Sequence, residues 1–215
     1  MPYAVYDHRV SDIAAFILAG GASKRMGRDK ASLTLGGKTL LERALGLVNS
    51  ITRDVAIIGN AAKFGGYGRI IEDIYPGCGP LGGIHAALRQ TRAELNLMLA
   101  LDTPFIEEKF LHFLVSTARE CGSVVTVPRT QGQRHPLCAV YRRDFVSLCE
   151  EALARGQNKI DRLFAGIEIR MIDEEEMIRL KFSPQMFRNL NTPEEWNEAQ
   201  MAWNQEKNNE GGITR

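Results

Sequence analysis

The chain predicts an α/β fold: one Rossmann-like domain with a mainly parallel central sheet and helices on both faces. Three observations predict it. Short apolar or β-branched runs alternate with amphipathic stretches of helical period along nearly the whole chain. The runs at 13–18 and 97–101 carry no polar residue, as strands covered on both faces require. Several of these runs end in Gly, Asn or Asp, the residue types that gather where strands of an open α/β sheet stop.

In order, Ile13–Leu18 reads as a buried first strand, followed by a helix over Thr39–Ser50 whose apolar face carries Leu40, Leu41, Ala44, Leu45, Leu47 and Val48. Val55–Ile58 is a second strand ending at Gly59-Asn60, and Arg69–Ile71 a third ending at Glu72-Asp73. A helix is expected over Ile84–Gln90 and a central strand over Leu95–Leu101, apolar except for Asn96. Glu107–Glu120 is an amphipathic helix, Ser123–Val127 and Leu137–Tyr141 are strands, and Phe145–Arg155 is a helix. Ile167–Ile172 and a short Phe187–Leu190 complete the strands. Thr192-Pro193-Glu194-Glu195 then opens the last helix, with Thr192 as N-cap, Pro193 in the first turn and Glu195 as the reciprocal capping partner. Residues 12–203 form the expected domain. The leader 1–11 and the Asn/Glu/Gly-rich end 204–215 read as flexible tails.

Composition narrows the function. The 215 residues carry 27 basic and 26 acidic side chains, a net charge of +1, so no basic excess calls for nucleic acid. Aromatic residues make up only 7%, too few for a base-stacking platform. Cys78, Cys121, Cys138 and Cys149 are widely spaced, without Cys-x-x-Cys pairs, which argues for reduced thiols rather than disulfides or zinc. No run is long enough to span a membrane and no signal-peptide core opens the chain, so a cytoplasmic protein is expected.

The chemistry concentrates after the first strand, in Leu18-Ala19-Gly20-Gly21 through Lys30. Small residues let main-chain N–H groups face phosphate oxygens, while Arg25 and Lys30 supply charge for a triphosphate. The segment lacks the closing Gly-Lys-Ser/Thr of a P-loop and the Gly-x-Gly-x-x-Gly of a dinucleotide fold. Asp102 follows an apolar strand and precedes Thr103-Pro104. It either caps that turn or holds Mg²⁺, and a neighbouring phosphate loop favours the metal. No local Ser/His/Asp or Cys/His pattern points to a covalent intermediate, which suits phosphoryl chemistry by alignment and neutralisation.

The opening motif resembles that of nucleotidyltransferases, and within them the molybdenum cofactor guanylyltransferases (MobA-like proteins). The likeness runs from about Ala14 to Ala199. It implies GTP and Mo-bound molybdopterin as substrates, Mg²⁺ as cofactor and Asp102 as its ligand, in a monomer that hands its product to cofactor-biosynthesis proteins or molybdoenzyme chaperones. It further implies that Lys30 and Arg25 contact phosphate, and that Asn60, Asp73 and the Gly79-Pro80-Leu81 loop lie at the nucleotide. Arg134-His135-Pro136 and the pair Asn189 and Asn191 would face the acceptor, although each could equally serve a turn. Three alternatives stay open: CTP with molybdopterin, a sugar- or alditol-phosphate acceptor, and a non-catalytic nucleotide-binding adaptor.

Overall fold

The computed structural model describes residues 12–20, 30–190 and 192–210, with only the backbone of 202 and 204–210. Gly21, Arg25, Asn191 and the 1–11 leader lie outside the described residues. The sheet is mostly parallel in the half that receives the first motif. There β1 (Ile13–Leu18) lies between β4 (Val55–Ile58) and β6 (Leu95–Ala100), and β5 (Ile70–Ile71) forms the edge beyond β4, all four running the same way. Beyond β6 comes β9 (Cys138–Arg142), antiparallel to both its neighbours, then β7 (Val125–Thr130) and finally β10 (Ile169–Asp173), parallel to β7. A two-residue strand, β8 (Gln133–Arg134), folds back on the end of β7.

Strand pleating sends alternate side chains to opposite layers. Ile13, Ala15 and Ile17 of β1, with Leu97 and Leu99 of β6, meet the buried faces of α1 (Leu40–Ile51) and α4 (Glu108–Cys121). The same core takes Met177 of α7 (Glu174–Arg179) and Trp196 of α8 (Pro193–Glu210). Ala14, Phe16 and Met98 point the other way, into α3 (Pro80–Gln90), α5 (Phe145–Ala154) and α6 (Ile160–Leu163). Helices therefore cover both faces, which is why the central strands are apolar without alternation. Among the described residues no helix is long and apolar enough to cross a membrane. None of the four cysteines is paired, and burial pushes the Cys138 and Cys149 thiols up to about 12.

Three expectations change in the structure. The Gly-Pro-Leu-Gly-Gly bend is already helix: α3 starts at Pro80, whose fixed φ suits a first turn, after Gly79 at φ 66°. Phe187–Leu190 is not a strand; Pro184–Phe187 is a 3₁₀ turn capped by Ser183, and Pro184 has no N–H for a ladder. Thr39, expected to begin the helix, is its N-cap and ends a hairpin of β2 (Thr34–Leu35) and β3 (Lys38–Thr39), turned by Gly36 and Gly37 at φ 62° and 81°. A Cβ at Gly36 would overlap the Trp203 indole of α8. The capping box at α8 is present, Thr192 N donating to Glu195 Oε2 at 3.1 Å and Glu195 N to Thr192 Oγ1 at 3.2 Å. That helix continues to Glu210, into the stretch read as a tail.

Candidate active site

Parallel pairing in register is what brings the distant motif ends together. Leu18 sits opposite Ile58 and Ala100, and Ile58 opposite Ile71, so four strands stop level at one edge. Just past that edge lie Gly20, Asp73 and Asp102. Leu101 N donates to Leu18 O at 3.3 Å, which fixes where Asp102 emerges. Thr103 Oγ1 donates to Ala100 O at 3.0 Å and closes the turn itself. The Asp102 carboxylate is thereby left for other work: its Oδ2 accepts from Lys30 Nζ at 3.2 Å. The two side chains are 19% and 27% exposed, so the pair is partly withdrawn from water yet open to a ligand. Lys30 begins a short 3₁₀ turn to Ser32, closed by Leu33 N donating to Lys30 O.

Both residues line a cleft of about 590 Å³, together with Gly20, Asp73 and Pro80. That volume falls in the usual range for a small-molecule site. Helix α3 sits hard against the strand ends because its first turn is glycine. A Cβ at Gly83 would come within 3.2 Å of both Ile58 Cγ2 and Leu18 Cδ2, and within 3.6 Å of Asp73 Oδ1. Asp73 Oδ1 is buried without a hydrogen-bond partner among the described residues, and burial raises its carboxyl above the ordinary value. Asp73 is also one of the residues lining the cleft, so a buried acceptor with nothing to accept from stands beside the space a ligand would fill. Leu18 and Ala19 line the same cleft, but the Ala19 N–H is spent on Ile58 O at 3.0 Å. Of the N–H groups expected to face phosphate over Leu18–Gly21, that of Ala19 is therefore taken by the sheet.

Beyond Asp102 lies a second hollow, about 250 Å³, lined by His135 and Asn189 with Thr130, Gln185 and Phe187. His135 stacks on Phe187, ring centroids 4.2 Å apart and planes within 14°, and its Nε2 meets Thr130 Oγ1 at 2.6 Å. Burial lowers the His135 pKa, so the ring is neutral at pH 7. The two hollows are neighbours through two connections. Leu190 N donates to the Asp102 carbonyl at 3.0 Å. Leu137, two residues after His135, lines the larger cleft, and its carbonyl accepts from Ala100 N at 2.7 Å.

A model of the MobA-like NTP transferase domain matches residues 15–172, the stretch that builds the cleft. The chain belongs to that family. The molybdenum cofactor guanylyltransferase of Desulfosudis oleivorans is 31% identical over 193 residues, 88% of this chain and 95% of that one. The probable molybdenum cofactor guanylyltransferase of Pelotomaculum thermopropionicum is 33% identical over 180 residues, covering 82% and 86%. Among solved structures, molybdopterin-guanine dinucleotide biosynthesis protein A from Archaeoglobus fulgidus superposes with a TM-score of 0.79 at 25% identity, over 89% of this chain and 99% of that one. This member of the family is thus a nucleotidyltransferase, with one α/β domain spanning nearly the whole of its relatives.

Not every expected site residue reaches the site of this MobA-like chain. Asn60 is exposed and caps the four-residue helix α2 (Ala61–Phe64), its Oδ1 accepting from Lys63 N at 3.3 Å; it is not among the residues lining the cleft. Leu81 is fully buried in the core under α3, and Pro80 lines the cleft instead. Arg134 turns from the second hollow to Asp161, 3.2 Å away, and to the Phe164 ring. Thr130, Leu137 and Phe187 were missed. Thr130 had a signal: the alternation Val125-Thr126-Val127 resumes beyond Pro128, whose carbonyl accepts from His135 N at 2.9 Å. Phe187 had none, because only the fold stacks it on His135.

Proposed function

We propose that this protein transfers GMP from GTP to the terminal phosphate of Mo-bound molybdopterin, releasing pyrophosphate and forming a guanine dinucleotide cofactor. The carrying observation is the Lys30–Asp102 pair, 72 positions apart in sequence and 3.2 Å apart in space, at a cleft that Asp73 also lines. The names of the relatives support the substrate pair.

Lys30 would bind the triphosphate as a point charge and neutralise the departing pyrophosphate. Arg25, outside the described residues, would share that task. Asp73 would accept from the guanine N1–H and N2–H donors, an edge that cytosine does not present. The donor set suits Mg²⁺: Asp102 offers a hard carboxylate at a cleft with room for phosphate oxygens and water, the ligands Mg²⁺ prefers. Mg²⁺ held there supplies charge neutralisation on the triphosphate. Asp102 would hold that cation, and the Lys30 ammonium would serve the phosphates. The acceptor, in the hollow beside His135 and Asn189, would present a phosphate oxygen to the α-phosphorus. The new O–P bond forms as the bond to pyrophosphate breaks, and an anionic phosphate needs no general base. Unpaired cysteines fit a reducing cytoplasm.

The test measures pyrophosphate release with GTP, CTP, ATP and UTP, with and without Mo-molybdopterin. Acceptor-dependent release with GTP is expected. Equal release with CTP would remove the guanine assignment, and GTP binding without release would make the protein a non-catalytic binder.

A further inference from the structure

The segment 135–137 joins the two hollows along the chain. His135 lines the smaller hollow, Leu137 lines the nucleotide cleft, and Pro136 lies between them. Its main chain is pinned from several sides. His135 N donates to Pro128 O at 2.9 Å, His135 O accepts from Cys138 N at 3.0 Å, and Leu137 O accepts from Ala100 N at 2.7 Å. These are backbone bonds that follow from the sheet, since β9 begins at Cys138 and Ala100 ends β6.

The remaining carbonyl, Pro136 O, is held by a side chain. Tyr141 reaches back from β9 and its hydroxyl donates at 2.7 Å, a short, strong bond. Tyr141 is fully buried in the core beneath α5, its ring 5.0 Å from that of Phe145. Burial holds the phenol well above its ordinary pKa, so the hydroxyl keeps its proton and acts as the donor. Its backbone is fixed in turn, because Asn96 Nδ2 donates to Tyr141 O at 3.3 Å. No other donor among the described residues reaches Pro136 O.

The geometry points to Tyr141 as a positioning residue for the acceptor: its hydrogen bond to Pro136 holds the segment so that the His135 ring faces the smaller hollow at a fixed offset from the nucleotide cleft. The inference rests on the proposed guanylyl transfer and adds to it a buried residue that touches neither substrate. A segment that drifts changes where the acceptor phosphate sits relative to the α-phosphorus, and misplacement of about 1 Å is expensive in a reaction driven by alignment. The nucleotide side is anchored separately, by Lys30, Asp102 and Asp73, and would not move.

Tyr141→Phe tests this, because it keeps the ring and removes one oxygen. The acceptor KM is expected to rise about fivefold, the worth of one net hydrogen bond, with the GTP KM unchanged within about twofold. A purely structural role would lower the melting temperature and leave the acceptor KM alone, or move both KM values together; either result overturns the inference. A second readout is independent of the reaction. The His135 Cε1–H signal, shifted by the Phe187 ring current and identified by its loss in His135→Gln, should move toward the free-imidazole position in Tyr141→Phe. An unmoved signal also overturns the inference. If the unmodified protein transfers nothing to molybdopterin, the functional reading fails on that control, and the resonance alone decides the role of Tyr141.

Discussion

The two hollows beside Asp102 are built by different means. The larger one sits where parallel strands β1, β4, β5 and β6 end together, and its chemistry comes from residues that follow those strands directly: Gly20, Asp73 and Asp102. The smaller one sits where antiparallel β9 breaks that pattern. Its walls come from the return of β7 into β8, the 135–137 segment and the 184–189 turn, which no single sheet edge aligns. The first is charged and half-buried; the second is lined by an imidazole, amides, a hydroxyl, an aromatic face and Arg188. A site made by strand ends is fixed by the register of a few buried ladders. A site made by loops depends on individual side-chain bonds, and point mutations should distinguish the two.

The largest effect should come from Asp102→Ala, which is expected to lower kcat about 10³-fold with the fold intact, Lys30→Ala following at about 10²-fold. Activity retained in Asp102→Ala, with an unchanged dependence on Mg²⁺ concentration, would end its role as metal ligand. Next comes Asp73→Asn. Removing a carboxylate acceptor should raise the GTP KM about tenfold and narrow the preference for GTP over CTP. Without ligand the same variant should be slightly more stable at neutral pH, by at most about 1 kcal/mol, since the carboxyl is half-exposed and screened. Burial raises the Asp73 pKa, so the native protein bears an ionised, poorly solvated carboxylate above that value. The gain in the variant should therefore vanish as the pH falls through it. Thermal melts of both proteins across that range give the answer.

His135→Gln is the matching probe of the smaller hollow. It should raise the acceptor KM about fivefold and leave GTP binding within about twofold, the reverse of Asp73→Asn. Burial lowers the His135 pKa, so its neutral form stabilises the fold fully above about pH 6.5, and that contribution is lost as pH falls through the lower folded value. The acid side of the stability profile should be flatter in the variant. Smallest is Asn60→Ala, which should cost about 1 kcal/mol through loss of the α2 cap, read from a melt, and leave the GTP KM alone. A GTP effect beyond about twofold would extend the nucleotide site to Asn60.

Legibility in the sequence follows the same division. β1 is found at its observed limits because six apolar residues stop at a glycine pair, and Asp102 is found because an apolar strand delivers it. The Thr192 capping box is a local pattern, and it forms as written. Asn60 and Leu81 lie in the right segments but face elsewhere, since adjacency in sequence does not fix which side of a turn reaches the cleft. Arg134 was misplaced because Asp161, 27 positions away, is a partner that only folding supplies.

The sequence by itself determined the alternation of strand and helix, the apolar ladders and the polar residues at their ends, because these depend on periodicity and local capping. The tertiary structure alone decided that Lys30 meets Asp102, that the Asp73 carboxylate lies beside Gly83, and that Tyr141 braces Pro136. The first two join residues whose separation along the chain carries no information about distance in space. Parallel register and the close approach of a glycine helix create the first two, antiparallel β9 places the third, and all exist only once the sheet is assembled.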